Sequence, residues 1–438
     1  MAAEKNIPLL GSGFVAKPTL DYLLRRPENK VTVACRTKAT AEAFIAGAER
    51  STAISLDVSD DVALDAAVAK HDVVISLIPY THHAQVIKSA IRNKTHVVTT
   101  SYVSPAMMEL DEEAKKAGIT VMNEIGLDPG IDHLYAVKTI DEVHAEGGKI
   151  LSFLSYCGGL PAPENSNNPL GYKFSWSSRG KDGKVVEIEG PELMKAARPY
   201  FIYPGYAFVA YPNRDSTPYK ERYNIPECQT IIRGTLRYQG FPEFIKVLVD
   251  VGFLSDESVE VMAKGSSATW KEATAKVLGV SSTKEEDLIA AIRSKTQFKN
   301  AEEEARIVAG FRWLGLFSDN VITPCENPLD TLCATLEPKC QYGPDERDFV
   351  MLQHRFEIEH ADGRLETRTS TLCDYGVPGG YTSMAKLVGV PCGVATQQVL
   401  DGIIKTAGVL APMSKVLNQP LIDELLKEGI FCKEETVA

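Results

Sequence analysis

The chain has 438 residues, 44% of them hydrophobic and 24% charged, with a formal net charge of −11. That length exceeds one ordinary core and points to two or three domains. The composition excludes a disordered chain, and the acidic balance argues against a nucleic acid or an anionic membrane as partner, while leaving room for a local basic pocket.

The nine cysteines are Cys35, Cys157, Cys228, Cys325, Cys333, Cys340, Cys373, Cys392 and Cys432. They form no Cys-x-x-Cys pair and no His/Cys spacing of a structural zinc site. The expectation is reduced, mostly buried thiols, no metal, and a cytosolic protein. Met1–Asn6 runs directly into a strand, so no signal peptide is expected, and no apolar run is long enough to span a bilayer.

In the first third, short apolar runs at Ile7–Leu10, Val31–Cys35, Ala53–Leu56, Val73–Ile78, His96–Thr99 and Thr120–Met122 read as strands buried on both faces. Helical periodicity lies between them, at Ala16–Arg25, Ala39–Ala46, Val62–Lys70, His82–Asn93 and Pro105–Ala117. This alternation predicts a parallel, doubly wound sheet. From Ile150 the pattern changes. Ile150–Tyr156 and Lys173–Trp176 read as strands linked by a Gly/Pro/Asn-rich loop at Gly158–Gly171. Thr230–Tyr238, Phe349–His360 and Arg364–Leu372 read as antiparallel strands, with Asp362-Gly363 as a hairpin turn. Between them Phe244–Val251, Thr269–Val277, Glu285–Ser294 and Glu302–Leu314 are helical, an insertion within a second, mixed α/β domain. Met384–Ile404 reads as a helix broken near Pro391.

The first strand leads into Gly11-Ser12-Gly13-Phe14-Val15-Ala16 and then a helix. This is the context that a Gly-x-Gly-x-x-Ala dinucleotide turn requires. Gly11 permits the turn, Gly13 lets backbone approach a pyrophosphate, and Ala16 keeps helix and strand close. Free N–H groups at the helix start then face the phosphates. The second strand ends Cys35-Arg36-Thr37, with no acid to hold a ribose 2′-hydroxyl. Arg36 can instead pair with a 2′-phosphate and Thr37 can donate to it, so the expected cofactor is NADP(H). In an open α/β sheet the ligand lies beyond the carboxyl ends of the strands. The ends expected to touch it are Asp57-Val58, Leu77–Pro79, Thr99–Tyr102 and Glu124–Asp132. Asp128 precedes Pro129, so it reads equally as a helix N-cap and as a catalytic or binding residue.

At these residues the sequence resembles a known family. Leu-Gly-Ser-Gly-Phe-Val, Val-Ala-Cys-Arg-Thr, Ser-Leu-Ile-Pro-Tyr, Thr-Thr-Ser-Tyr-Val-Ser-Pro-Ala-Met, Gly-Leu-Asp-Pro-Gly-Ile-Asp-His, Ser-Tyr-Cys-Gly-Gly-Leu-Pro-Ala-Pro and Tyr-Pro-Asn-Arg-Asp-Ser are similar to segments of the fungal saccharopine reductases, the NADP-dependent, L-glutamate-forming saccharopine dehydrogenases. The likeness runs from Leu9 to about Pro412. It implies the penultimate step of lysine synthesis by the α-aminoadipate route, in which 2-aminoadipate 6-semialdehyde and L-glutamate form an imine that is reduced to saccharopine. It implies a cytoplasmic homodimer acting on small molecules. With the coarse reading it gives a Rossmann domain over 1–135 and 385–438, an α/β mixed-sheet substrate and dimerisation domain over 136–240 and 320–384, and a small all-α inserted domain over 241–319.

The resemblance also implies site residues. Cofactor contacts are Gly11, Ser12, Gly13, Phe14, Val15, Cys35, Arg36, Thr37, Asp57, Val58, Ile78, Thr100, Ser101, Leu127, Asp128, Pro129 and Ser177. Substrate contacts are Ser101, Tyr102, Asp128, Arg214, Thr235, Leu236 and Arg237. A tricarboxylate product calls for fixed cations, which Arg214 and Arg237 supply; each also reads as an ordinary ion pair. Asp128, Tyr102 and Cys157 are the candidate catalytic groups, with Cys157 reading more readily as a small buried filler. His82, His83 and His133 read as structural groups at helix starts. The sequence departs from the family pattern after Ser177-Ser178-Arg179-Gly180, where a polar Lys181-Asp182-Gly183-Lys184 stands in place of a hydrophobic helix, and the Gly376–Gly380 loop is short. Alternatives are a degradative saccharopine dehydrogenase, a homospermidine-synthase-like enzyme, which the arginines disfavour, and an NADP-binding protein without chemistry.

Overall fold

The computed structural model describes residues 3–174, 190–213 and 215–437. In chain order the first elements are β1 (Lys5–Leu10), α1 (Ala16–Leu23), β2 (Asn29–Cys35), α2 (Lys38–Phe44), β3 (Ser51–Ser55), α3 (Asp61–Val68), β4 (Val73–Ser76), α4 (His83–Asn93), β5 (His96–Thr99), α5 (Pro105–Met108), α6 (Asp111–Ala117), β6 (Thr120–Met122) and α7 (Ile131–Ala145). Then follow β7 (Lys149–Pro161), α8 (Gly190–Leu193), β8 (Arg198–Tyr200), β9 (Phe208–Pro212), α9 (Pro218–Arg222), β10 (Thr230–Tyr238), α10 (Phe241–Asp250), α11 (Trp270–Leu278), α12 (Glu285–Lys295), α13 (Ala301–Leu314) and α14 (Pro328–Lys339). The chain ends with β11 (Asp348–Glu359), β12 (Leu365–Tyr375), α15 (Ser383–Leu400), β13 (Gly408–Leu410), α16 (Lys415–Lys427) and β14 (Lys433–Val437).

The fold is α/β. The chain divides into two compact units, one of Met1–Ser155, Ser216–Ile232 and Val350–Ala438, the other of Tyr156–Asp215 and Arg233–Phe349. The first unit holds a sheet in the order β13-β6-β5-β4-β1-β2-β3. Its pairs β1/β2, β1/β4, β2/β3, β4/β5, β5/β6 and β6/β13 are all parallel. The strand order reverses between β1 and β4, which is where a doubly wound sheet opens its ligand crevice. β4 reads Val-Val-Ile-Ser and is fully buried, as expected for a strand covered by helices on both faces. Leu10, Val74, Val86, Ile87, Val97 and Val121 pack into one core cluster of this unit. The unit also contains the neighbouring strands β14, β12 and β11 of a second sheet, with β12 and β14 antiparallel. In the second unit β10 pairs antiparallel with β9, and β9 with β8. Its helices gather around Phe244, Phe253, Trp270 and Phe311, with Phe244 and Phe311 edge to face at 5.5 Å between ring centroids.

Several local expectations change. Pro105–Ala117 is two helices, α5 and α6, interrupted at Glu109-Leu110. The loop expected over Gly158–Gly171 begins only after Pro161, because β7 runs through Gly158 and Gly159. A Cβ on Gly158 would lie 2.8 Å from the Leu236 Cβ, so the glycine is a place of close backbone approach within a strand. Lys173 and Phe174 are not in a strand, and the rest of that expected strand lies outside the described residues.

The helix expected to break near Pro391 continues through it as α15. Its neighbour α1 explains this. Cβ atoms on Gly389 and Gly393 would lie 2.4 Å from the Val15 carbonyl oxygen and 2.9 Å from the Tyr22 ring, so the two helices touch backbone to backbone. Thr19 Oγ1 also donates to the Gly389 carbonyl at 2.8 Å. That contact outweighs the hydrogen bond that Pro391 cannot make. The hairpin turn at Asp362-Gly363 is as expected, with Gly363 at φ +82° and Arg364 N–H donating to Asp362 Oδ1.

Candidate functional site: the carboxyl edge of the parallel sheet

The phosphate turn follows β1. Gly11 has φ +100°, and a Cβ there would sit 2.6 Å from the Leu77 carbonyl oxygen, so no other residue fits. A Cβ on Gly13 would meet nothing within 4 Å, which leaves open space against the turn. Val15, at the N-cap of α1, makes no side-chain cap, and the first turn of α1 carries no acid. Ala16 is fully buried, as close helix–strand packing requires, whereas Phe14 is 69% exposed. The turn thus offers unfilled N–H groups beside open space, which suits a pyrophosphate.

At the end of β2, Cys35 Sγ lies 3.2 Å from Ser12 Oγ and joins this strand end to the turn. Arg36 and Thr37 are exposed beyond it. Asp57 is held low chiefly by hydrogen bonds from the Ser59 hydroxyl and N–H, with the Arg36 charge adding to the effect. A cation and a hydroxyl-bearing residue, with no acid, at the β2 end suit a 2′-phosphate.

The ends of β5 and β6 carry the candidate chemistry. Tyr102 donates its hydroxyl hydrogen to Asp128 Oδ1 at 2.6 Å. Asp128 lies in a tight loop: Ile131 N–H donates to the Gly126 carbonyl, and Gly130, at φ +147°, would place a Cβ 2.1 Å from the Gly126 carbonyl oxygen. The expectation of Asp128 as an N-cap is corrected here. Helix α7 starts at Ile131 with Gly130 as its N-cap, so the Asp128 carboxylate is left to face Tyr102.

One buried group was legible in the sequence only as a member of the Glu124–Asp132 strand end. Glu124 is fully buried and sits at φ +59°, a left-handed conformation that a non-glycine residue holds only when its surroundings over-determine it. Its N–H donates to the Ser101 carbonyl at 3.1 Å, and its Oε1 accepts the Val103 N–H at 3.0 Å. Glu124 therefore brackets Tyr102 from both sides in sequence. Its Oε2 accepts from Arg222 Nη2 at 2.8 Å and lies 2.8 Å from His133 Nε2. The His133 contact is close but out of line for a hydrogen bond, since that nitrogen has no aligned acceptor. Burial would raise the Glu124 carboxyl, but His133, Arg222 and the Val103 N–H outweigh it and hold it down at about 2. His133 Nδ1 lies 2.7 Å from the Tyr223 hydroxyl, which fits the expectation of a structural histidine. The available signal was the position of Glu124 at a ligand-facing strand end; Arg222, in a short charged helix 98 residues later, gave none.

In the second unit, Thr235, Leu236 and Arg237 lie on β10, opposite Tyr211, Ala210 and Val209 of β9. Leu236 is fully buried, so only its backbone can face a ligand. The Arg237 guanidinium lies over the rings of Tyr172 and Phe241 at 4.8 and 5.5 Å, and its Nε is buried with no hydrogen-bond partner. Thr235 Oγ1 accepts from Asn213. Cys157, on β7, is a partly buried thiol that forms no disulfide. Ser177, Arg214 and the polar Lys181–Lys184 segment lie outside the described residues. Four of the cysteines are buried, and no helix among the described residues is long and apolar enough to cross a membrane.

Comparison with known proteins agrees with this arrangement. Residues 7–122 match the model of the saccharopine dehydrogenase NADP binding domain, and residues 126–430 that of the saccharopine dehydrogenase C-terminal domain. The chain is 66% identical to a saccharopine dehydrogenase [NADP(+), L-glutamate-forming] of Pyricularia oryzae over 100% of both chains. It is 63% identical to the protein of that name from Schizosaccharomyces pombe, over 99% of each. The solved apo structure of saccharopine dehydrogenase (L-Glu forming) from Saccharomyces cerevisiae has a TM-score of 0.93 and 62% identity, covering 99% of this chain and 100% of that one. More distantly, the chain is 38% identical to the bovine mitochondrial alpha-aminoadipic semialdehyde synthase, covering 98% of this chain and 48% of that protein. The chain belongs to the saccharopine dehydrogenase family.

Proposed function

We propose that this chain is an NADPH-dependent oxidoreductase that forms L-saccharopine from L-2-aminoadipate 6-semialdehyde and L-glutamate, the penultimate step of lysine synthesis by the α-aminoadipate route. The observation that carries this reading is identity of 62–66% over essentially the whole chain to three fungal proteins of that named activity. The phosphate turn, with its open space at Gly13, and the acid-free β2 end with Arg36 fit NADP(H). Ser12, Gly13, Phe14 and Val15 would hold the pyrophosphate, Arg36 and Thr37 the 2′-phosphate, and Thr100, Ser101, Leu127, Asp128 and Pro129 the nicotinamide side.

NADPH, when bound, supplies the hydride; the protein has to orient the substrate and manage charge and protons. The glutamate amine and the aldehyde lose water to give an imine whose protonated form is cationic. The Asp128 carboxylate would stabilise that cation beside the reacting carbon. Tyr102, already donating to Asp128, would pass the protons that imine formation exchanges, with Cys157 the other candidate. The substrate brings carboxylates, and Arg237, with its unpartnered Nε against two aromatic rings, suits one of them, as does Arg214. We further propose that the enzyme acts in the cytoplasm as a homodimer.

The deciding experiment follows NADP reduction with saccharopine and identifies glutamate and the semialdehyde as products. NADP reduction without glutamate among the products would overturn the reading. The likeness to the mitochondrial semialdehyde synthases keeps a second direction open, oxidation of saccharopine in lysine breakdown. The ratio of forward to reverse kcat/KM at physiological substrate levels separates the two.

A further inference from the structure

We propose that His83 is a positioning residue that fixes the hydroxyl of Ser101 at the ligand-facing edge of the sheet. The inference rests on the reading above only in placing Ser101 against cofactor and substrate. His83 opens α4, just after β4, and its ring reaches across to the end of the neighbouring strand β5. Nδ1 lies 2.8 Å from Ser76 Oγ, at the last residue of β4. Nε2 lies 2.8 Å from Ser101 Oγ and 3.2 Å from Thr99 Oγ1, the last residue of β5. Both ring nitrogens are thus taken up by side-chain hydroxyls from two adjacent strand ends.

The ring is 1% exposed, and burial pushes it down to about 4, with the neighbouring His82 adding to the effect, so it stays neutral at ordinary pH. A neutral imidazole has one N–H and one lone pair, so it donates at one nitrogen and accepts at the other. This gives the Ser101 hydroxyl a fixed partner on its protein side. Its remaining hydrogen-bonding capacity then points in a set direction, which lowers the cost of ordering it against a ligand. A histidine serving only to fill the core would leave Ser101 free to find its own orientation, and its loss would act independently of Ser101.

The test is a double-mutant cycle read by two constants: NADPH dissociation, followed by cofactor fluorescence without substrate, and KM for saccharopine. His83→Ala and Ser101→Ala should each weaken the same constant by about fivefold, and the double variant should be weakened by no more than either alone. His83→Gln, which keeps one hydrogen-bonding end, should recover part of the loss and covers the case in which alanine does not fold. None of these variants should add a titration between pH 6 and 8. Wild-type constants in both His83 variants, or effects that multiply in the double variant, would overturn the proposal. Absence of NADPH binding to the wild-type chain would instead remove the functional reading, and this inference with it.

Discussion

The turn after β1 and the loop after β6 lie on the same edge of the parallel sheet, yet they are made of different materials. The turn is backbone: Gly11 is forced by the Leu77 carbonyl, Gly13 faces open space, and the start of α1 carries no side-chain cap. The loop is side chain: Asp128 meets Tyr102, and Glu124, Arg222 and His133 meet behind them. The first can tolerate change at most positions except its glycines. The second is a linked set in which a buried charge holds two strand ends in register, so a single loss should spread. On the function proposed above, the difference would separate general cofactor binding from the positioning that one reaction needs.

The sharpest way to break the comparison is Glu124→Ala. It leaves Arg222 and His133 without their anion and releases the Ser101–Val103 segment. Removing one partner of a buried pair costs about 3–5 kcal/mol, and the partial exposure of Arg222 places this case near the lower end. Denaturant unfolding should show the loss. Protonation should produce the same effect. Because the Glu124 carboxyl lies at about 2 in the folded chain, well below its ordinary 4.5, its stabilisation is complete above pH 4.5 and fades as pH falls towards 2. The stability gap between the wild type and Glu124→Gln should therefore close over that window; a constant gap would show that the charge is not what holds the segment.

Asp128→Asn should leave the fold intact and lower kcat by about 100-fold, with Tyr102→Phe lowering it less, as steady-state kinetics would show. Arg36→Asp should cut the NADPH-over-NADH preference by about 10- to 100-fold, the worth of one charge-assisted contact, as kcat/KM with each cofactor would show. An unchanged preference would move 2′-phosphate recognition elsewhere. Gly11→Ala must displace the Leu77 carbonyl as well as hold a positive φ, so it should cost more than the ~1–2 kcal/mol of the backbone conformation alone and appear as a lower Tm with weaker NADPH binding.

The backbone-made region was legible in the sequence because its rule is local: a strand, two glycines, a small residue and a helix within 12 positions of Lys5–Ala16. The existence of β1 to β6 and their parallel pairing followed from the same alternation. β13 did not, since three residues far down the chain, Gly408–Leu410, become a strand only by pairing with Thr120–Met122. Pro391 was misleading for a like reason, because the α1 contact that carries α15 through it comes from residues some 370 positions away. Asp128 and Tyr102 were visible as strand-end residues, but their pairing was not. Glu124 was visible only as one member of a strand-end motif, and nothing in the sequence singled out Arg222. A side chain whose partner lies a hundred residues off leaves no spacing to read.

The most direct measurement of the central claim is NADPH oxidation on adding L-2-aminoadipate 6-semialdehyde and L-glutamate, alone and together, with saccharopine quantified. The account predicts turnover only with both present and one saccharopine per NADPH consumed. NADPH binding with no turnover, or oxidation that does not depend on glutamate, would contradict it.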